Sequence, residues 1–238
     1  MLIAGLQKNS LVDYRGKVAA VVFVPFCNYN CFYCHNRILL EKDSEKIMYG
    51  PTDEEDFFEF LEKRKGLLHG VVITGGEPTI HKDLDVFIEK IREKGFPVKL
   101  DTNGYRPEVL EDLIESVKLD SIAMDIKGPA EKYAEICGVP VEIDRIKRSI
   151  SLIMASGLDY EFRTTVPPGF TLEDIEGAVK LVEGAALYTL QQFRKPENTG
   201  DFTDIRNNMK PNTKEFFTEA VEICRPYVRQ INTRGIAL

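Results

Sequence analysis

Short apolar runs alternate with amphipathic stretches along most of this chain, and that alternation limits its fold more than any other feature. The runs are strand-sized and cover residues 18–24, 71–74, 97–101, 120–125, 160–166 and 187–193. The first of them is apolar throughout, as expected of a strand buried on both faces. Strands that alternate with helices form parallel sheets with right-handed crossovers. The sequence therefore predicts an α/β fold built from six such units.

Residues that favour helix starts and stops stand between the runs. The start signals are Thr52 with Glu55 as a capping box, Pro107 in a first turn, Thr171 as a cap, and Asn212 with Glu215 before the last long helix. Gly157 suits the end of a helix. No Gly-x-Gly-x-x-Gly turn follows the first run, so a dinucleotide-binding sheet lacks its usual fingerprint. We therefore expect a partial (β/α)6 barrel with its helices outside and its chemistry at the carboxyl ends of the strands.

Charge and hydropathy argue against two classes of partner. The chain has 238 residues, of which 43% are apolar, enough for one sizeable core. Lys and Arg number 31 and Asp and Glu number 38, so the net charge is −7, which argues against coating nucleic acid or anionic membrane. No run approaches the ~20 apolar residues that span a bilayer, and the N-terminus shows no secretory pattern. We expect a cytoplasmic protein without a nucleic-acid or membrane partner.

Three of the five cysteines follow the first run directly. Cys27, Cys31 and Cys34 have the spacing Cys-x3-Cys-x2-Cys, and the odd total argues against a disulfide framework. Three thiolates on a short loop can hold three corners of a cube of iron and sulfide. The fourth iron would stay open, as a catalytic metal site keeps one position for its substrate.

Other interpretations of the triplet remain open. His35 would complete a zinc site, although adjacent residues rarely wrap one tetrahedral ion together. Cys137 or Cys224 would close the cluster and make the chain an electron carrier, although both lie in or near helical segments, where Cys is usually a small core residue. The three cysteines could also be structural. His69 and His81 show no partner pattern and are interpreted as non-catalytic.

The cysteine loop resembles that of the radical S-adenosylmethionine superfamily, whose usual fold is a partial six-fold βα barrel. The resemblance covers residues 15–195 and implies a single domain over 1–238, with a C-terminal helix and tail over 205–238. It implies a 4Fe–4S cluster with three cysteine ligands, and S-adenosylmethionine as cosubstrate. In that family one electron from the cluster breaks a sulfur–carbon bond, and the resulting 5′-deoxyadenosyl radical removes a hydrogen atom.

The resemblance extends to a Gly-Gly-Glu motif at the end of the second strand, formed by Gly75, Gly76 and Glu77. It implies that Glu77 contacts the ammonium group of the cosubstrate, and the glycines let backbone approach a ligand closely. On the sequence alone, an ordinary strand–turn with an exposed Glu is the alternative.

Residues after the third and fourth strands are assigned by the same resemblance. Segments 101–104 and 124–127 are similar to segments in which two aspartates and a threonine, here Asp101, Asp125 and Thr102, lie near the methionine carboxylate, sometimes with a monovalent cation. Asn103 is assigned to cofactor binding by the same resemblance. An Asn-Gly turn is the alternative for the first segment. Lys127 is expected to pair with a carboxylate, with a solvated lysine as the alternative.

Three further contacts with the cosubstrate are expected. Arg163 lies inside the fifth strand, where an unpaired Arg is costly, and is expected to meet the cosubstrate carboxylate through a forked contact. A structural salt bridge is the alternative for Arg163. Gln191 on the sixth strand is expected near the adenosyl group, and Tyr33 resembles the aromatic position that flanks adenine.

Segments 34–36, 101–104 and 125–127 resemble those of activases that act on glycyl-radical enzymes. The leader over 9–17 is similar to that of the long-form activases of anaerobic ribonucleoside-triphosphate reductase. This implies that reductase as partner and an electron donor such as flavodoxin or ferredoxin. An activase for a formate-lyase-type enzyme and a small-molecule synthase of the deazaguanine-forming type are the alternatives. The loop over 194–203 and the tail over 227–238 are candidate docking segments for the partner.

Overall fold

The computed structural model describes residues 1–40, 53–116, 118–195 and 204–238. The strands of this described part are β1 (Gly5–Ser10), β2 (Ala19–Val24), β3 (Gly70–Gly75), β4 (Val98–Thr102), β5 (Ser121–Asp125), β6 (Asp159–Val166), β7 (Tyr188–Gln192) and β8 (Ile231–Arg234). Its α-helices are α1 (Glu54–Lys63), α2 (Leu84–Glu93), α3 (Pro107–Glu115), α4 (Tyr133–Cys137), α5 (Ile143–Ala155), α6 (Leu172–Lys180) and α7 (Lys214–Cys224).

The strands form one sheet in which the strand order follows the chain order. The pairs β2–β3, β3–β4, β6–β7 and β7–β8 are parallel, whereas β1 is antiparallel to β2. At least one helix follows each of the strands β2 to β7, so the six predicted βα units are present, each strand within one residue of its predicted run. The predicted α/β class is confirmed.

Strands β1 and β8 were not predicted, because neither carries a buried-strand pattern. β1 reads Gly-Leu-Gln-Lys-Asn-Ser, and its third to fifth residues are exposed. β8 reads Ile-Asn-Thr-Arg and has no buried residue. They lie at the two ends of the order of the described strands, and polar residues are tolerated in such edge strands.

Most of the predicted helix boundaries hold where the structure describes them. Thr171 and Asp174 form a reciprocal capping box at the start of α6, and α3 begins at Pro107. α5 ends at Ala155, two residues before Gly157. Thr52 lies outside the described residues.

The predicted start of the last helix is wrong by one residue. Thr213 caps α7 by accepting a hydrogen bond from Phe216 N. The Asn212 side chain instead donates to the Val166 carbonyl at 2.9 Å, so it ties the chain before α7 to the end of β6. Asn212, which the local pattern assigned to the helix cap, is thus engaged in a tertiary hydrogen bond instead.

The chain divides into two compact units. The first comprises Met1–Asn28, Asn36–Ala123 and Ala155–Asp159, and the second comprises Tyr29–His35, Met124–Met154 and Tyr160–Leu238. The expected single domain stays a prediction. No helix in the described segments is long and apolar enough to cross a membrane.

Candidate functional site

In the first unit, hydrogen bonds fix the chain just after β2. Phe26 has a φ of 62° and donates its N–H to the Leu39 carbonyl at 2.8 Å. Its own carbonyl accepts from Glu77 N at 2.8 Å. The His81 ring bonds the Pro25 carbonyl at 2.9 Å, so His81 has a structural contact here. The segment that leads into Cys27 is therefore held by the backbone of Leu39 and Glu77 and by the side chain of His81.

Asn103 connects the end of β4 to the first cysteine. Its Nδ2 donates to Asn28 Oδ1 at 2.8 Å and lies 3.8 Å from Cys27 Sγ. The other side-chain atom of Asn28, Nδ2, is buried and has no hydrogen-bond partner within the described segments. A buried donor without a partner is costly, so this one marks a place where a ligand atom would be stabilised.

The glycines of the Gly-Gly-Glu motif are required by the protein's own backbone. Gly75 has a φ of 117°, and a Cβ there would lie 2.5 Å from Val24 N. A Cβ on Gly76 would lie 1.8 Å from the Phe26 carbonyl oxygen. The glycines thus allow a close approach between the end of β3 and the end of β2 with the chain that follows it, and the expected close approach of backbone to a ligand stays a prediction.

Glu77 is a buried carboxylate, 1% exposed, and not the exposed turn residue of the alternative interpretation. Oε1 accepts from Thr79 N at 3.1 Å, Thr79 Oγ1 at 2.6 Å and Thr102 Oγ1 at 2.7 Å, and Oε2 accepts from Asn103 N at 2.7 Å. Burial raises its pKa despite these hydrogen bonds, because none of the donors carries a charge. An approaching cation would stabilise the ionised form.

Asp101 is paired with a residue that the sequence analysis missed. Lys99 Nζ lies 2.6 Å from Asp101 Oδ1, and both side chains are almost fully buried. Both residues belong to β4, two positions apart, and therefore point to the same face of the strand. A Lys within an apolar strand at this spacing is the signal that would have predicted the pair.

In the second unit, Cys31 and Cys34 form a turn in which Cys34 N donates to the Cys31 carbonyl at 3.1 Å. The Cys31 thiol is hydrogen-bonded to that of Cys137, which, with a further contribution from the Lys127 charge, lowers the pKa of Cys31 to about 7. Asn30 N also donates to the Cys137 carbonyl at 2.8 Å. Cys137 is buried, as expected of a core residue, but it also touches a predicted cluster ligand.

Tyr33 is 5% exposed, and its hydroxyl has no hydrogen-bond partner among the residues that are described. Burial raises its pKa well above the ordinary value. Its ring meets that of Phe32 edge-on, with centroids 5.1 Å apart. The phenol is therefore neutral and available as a donor, which fits the predicted place beside a bound base.

Asp125 at the end of β5 accepts from Lys127 Nζ at 3.0 Å and from Arg163 Nε at 3.0 Å. Burial alone would raise its pKa, but the two cations hold it well below its usual range. Glu161 lies 3.8 Å from Arg163 and 3.4 Å from Arg234, which extends the ion pairs to β8. The expected carboxylate partner of Lys127 is thus Asp125, and Arg163 is engaged in the salt bridge that was its alternative.

The two glutamines of β7 have different environments. Gln191 is half-buried and lies opposite Arg234 of β8, and its predicted contact with the adenosyl group stays a prediction. Gln192 is buried and exchanges two hydrogen bonds with the Asn212 backbone, at 2.7 and 3.2 Å. Gln192 is therefore a structural residue that fixes the chain before α7.

Arg206 contacts the cysteine loop from a distant part of the chain, and the sequence analysis missed it. It is 5% exposed and donates to the Cys34 carbonyl at 2.5 Å. No local pattern signals this contact, because the two residues are 172 positions apart.

A cluster with three thiolate ligands fits the chemistry of these residues. No three His, Cys, Asp or Glu side chains converge on a metal position in the described part of the chain. The donor set is nonetheless that of an iron–sulfur cluster, and Cys31 has a lowered thiol pKa. Among the residues that the structure describes, the buried atoms Asn28 Nδ2 and Tyr33 Oη have no hydrogen-bond partner, and both residues belong to the segment 27–34 that carries the cysteines.

Comparison with known proteins identifies one family. The model of the radical SAM superfamily matches residues 21–182. A Methanocaldococcus jannaschii protein named as a glycyl-radical enzyme activating enzyme is 36% identical over 99% of this chain and 96% of its own. A Pyrococcus abyssi protein named as a GTP 3′,8-cyclase is 29% identical over 83% of this chain, and the match spans 64% of that relative.

Among solved structures, QueE from Escherichia coli has a TM-score of 0.60 and 17% identity, over 98% of this chain and 93% of its own. At that identity the likeness shows the fold alone. It agrees with the six βα units described above.

Proposed function

Because the chain belongs to the radical SAM superfamily, whose members use a 4Fe–4S cluster and S-adenosylmethionine, we propose that it activates a glycyl-radical enzyme, namely anaerobic ribonucleoside-triphosphate reductase. The observation that carries the proposed activase function is the near full-length likeness to a protein named as a glycyl-radical enzyme activating enzyme, a name that specifies no target. The cysteine spacing and the similarity of segments 34–36, 101–104 and 125–127 to activases support it.

Cys27, Cys31 and Cys34 would hold three irons of the cluster. When bound, the cluster supplies one electron that breaks a sulfur–carbon bond of S-adenosylmethionine, giving methionine and a 5′-deoxyadenosyl radical. That radical would take a hydrogen atom from the α-carbon of a glycine in the partner, which would yield 5′-deoxyadenosine and a glycyl radical. Protein residues place the reactants and exclude side reactions.

The likeness to radical SAM proteins suggests which charged side chains would bind the zwitterionic end of the cosubstrate. Glu77 is buried among uncharged donors and would accept its ammonium group. Lys127 and Arg163 would face its carboxylate, each held in place by Asp125. Tyr33 would offer its hydroxyl to the adenine. Asp101 is already paired with Lys99, and it would contribute to binding the cosubstrate as part of that ion pair.

Anaerobic reconstitution tests the chemistry. Protein with iron and sulfide restored, reduced by dithionite and given S-adenosylmethionine, should release methionine and 5′-deoxyadenosine. Cys31→Ala should abolish the release, whereas Cys224→Ala, which removes a thiol buried in α7, should not. Failure of the wild-type protein to release either product would contradict radical SAM activity.

Electron paramagnetic resonance separates the targets. A glycyl-radical signal should appear after mixing with the anaerobic reductase, and not with a reductase whose acceptor glycine is replaced by alanine. A signal only with a formate-lyase-type enzyme would overturn the reductase as target. Turnover of a small molecule with no signal from either partner would indicate a synthase. Flavodoxin or ferredoxin is the proposed electron donor, and a cytoplasmic location stays a prediction.

A further inference from the structure

Arg206 is a buried cation whose position is fixed from two sides. It belongs to the short turn Ile205–Asn208, and its backbone N–H donates to Asp204 Oδ1 at 2.9 Å. Its Nε lies 2.9 and 3.0 Å from the two oxygens of Asp204, and Nη2 makes a still shorter contact with Oδ2. A planar guanidinium that makes several hydrogen bonds to one carboxylate has a restricted orientation.

The remaining Nη1 of Arg206 is directed at the cysteine loop. It donates to the Cys34 carbonyl at 2.5 Å, and Cys34 N in turn donates to the Cys31 carbonyl at 3.1 Å. The guanidinium therefore fixes the turn that presents two of the three cysteines. Because Nη1 bonds the carbonyl of Cys34 itself, the positive charge of Arg206 lies close to the residue that carries the Cys34 thiol.

We propose that Arg206 is a positioning residue of the cluster loop, which holds the Cys34 turn in place and favours the reduced cluster through its charge. The inference rests on the proposed function only in requiring a cluster at this loop. A reduced cluster carries one more negative charge than an oxidised one, so a nearby desolvated cation stabilises it. A hydrogen bond from a neutral amide to the same carbonyl would hold the loop but would lack this effect.

The test is a redox titration of reconstituted protein, followed by electron paramagnetic resonance. Arg206→Gln keeps a donor but removes the charge. At a given potential its ratio of reduced to oxidised cluster should fall about tenfold, equivalent to about 59 mV for one electron. Arg206→Lys keeps the charge and should stay closer to wild type. Both variants should release iron to a chelator faster than wild type, because both lose the fork to Asp204.

Arg92→Gln is the matched control, since Arg92 forms another arginine–aspartate pair, with Asp120 at 2.5 Å. It should titrate like wild type. If Arg206→Gln also titrates like wild type, or if Arg92→Gln shifts equally, the proposal is wrong. Should Arg206→Gln not fold, Asp204→Asn carries the test, because it frees the guanidinium. If Asp204→Asn releases iron at the wild-type rate and its cluster has the wild-type redox titration curve, the inference is overturned.

The same experiment distinguishes the inference from the proposed function. A wild-type chain that assembles no iron–sulfur cluster would overturn both. A wild-type chain that assembles one and cleaves S-adenosylmethionine, with Arg206→Gln indistinguishable from it, would overturn only the role of Arg206.

Discussion

Arg163 Nε and Lys127 Nζ each donate to a different oxygen of Asp125 at 3.0 Å, so one carboxylate at the end of β5 holds two cations. The side chains of Arg163 and Lys127 are 10% and 16% exposed. Cations this deeply buried need a counter-charge. Asp125 therefore stabilises the second unit whether or not a ligand is bound.

Asp125→Asn should destabilise the apo-protein by about 2 kcal/mol, because it leaves two largely buried cations facing a neutral amide. Urea unfolding in reducing buffer measures the effect. Glu59→Gln removes a carboxylate from an exposed pair with Lys63 on α1 and should change nothing measurable. Equal stability of Asp125→Asn and wild type would show that the cations find other partners.

The stability that Asp125 provides should also depend on pH. Its pKa in the folded protein lies below the value of about 3.9 for an unfolded chain. The contribution is therefore complete above about pH 4 and is lost as the pH falls through the folded pKa. The difference in unfolding free energy between wild type and Asp125→Asn should shrink below about pH 4. A difference that grows on acidification would contradict this assignment.

Glu77→Gln should cost about 2 kcal/mol although it is nearly isosteric. Each oxygen of Glu77 accepts a backbone N–H, from Thr79 and from Asn103. The new amide NH2 therefore faces a donor in either orientation, and one buried N–H loses its partner. The same change at Glu89, on the exposed face of α2, should be silent. We would compare the denaturant midpoints of the two variants, and an unchanged midpoint for Glu77→Gln would contradict the two backbone hydrogen bonds to Glu77.

Gly76→Ala should disrupt the first unit much more than Gly95→Ala. A Cβ on Gly76 would overlap the Phe26 carbonyl, so the chain before Cys27 must move. Gly95 has a φ of 87° and open space around it, so alanine there costs only about 1 kcal/mol of backbone strain. Thermal unfolding compares them. Similar losses in both would mean that the β3 and β2 ends can separate freely.

Cys137→Ala should raise the pKa of Cys31. The hydrogen bond from Cys137 is the main cause of the lowered pKa of about 7, so its loss should reduce the thiolate absorbance of apo-protein at about pH 8. Cys224→Ala is the control, since burial raises the pKa of the Cys224 thiol to about 12. A control that loses as much absorbance would refute the assignment.

The same variant tests whether Cys137 completes the cluster. If the cluster has three cysteine ligands, Cys137→Ala should bind as much iron per chain as wild type and still cleave S-adenosylmethionine. Loss of one iron, or of the cluster, would support Cys137 as a fourth ligand and the electron-carrier interpretation.

Local patterns predicted much of this molecule. The β2 run, the Thr171 helix cap and the Pro107 helix start each depend on residues a few positions apart, and all three agree with the structure. The edge strands β1 and β8 were missed because polar edge strands resemble loops in composition. Asn212 was misassigned because its partner, the Val166 carbonyl, is remote in the chain.

The sequence by itself determined the six βα units, the three thiols on one short loop and the carboxylates at the strand ends, because periodicity and spacing are local properties. Only the tertiary structure decided which charges meet. It paired Arg163 with Asp125, directed Arg206 to the Cys34 carbonyl and placed Cys137 against Cys31. These contacts join distant parts of the chain, and their energies depend on burial and distance, which no local pattern records.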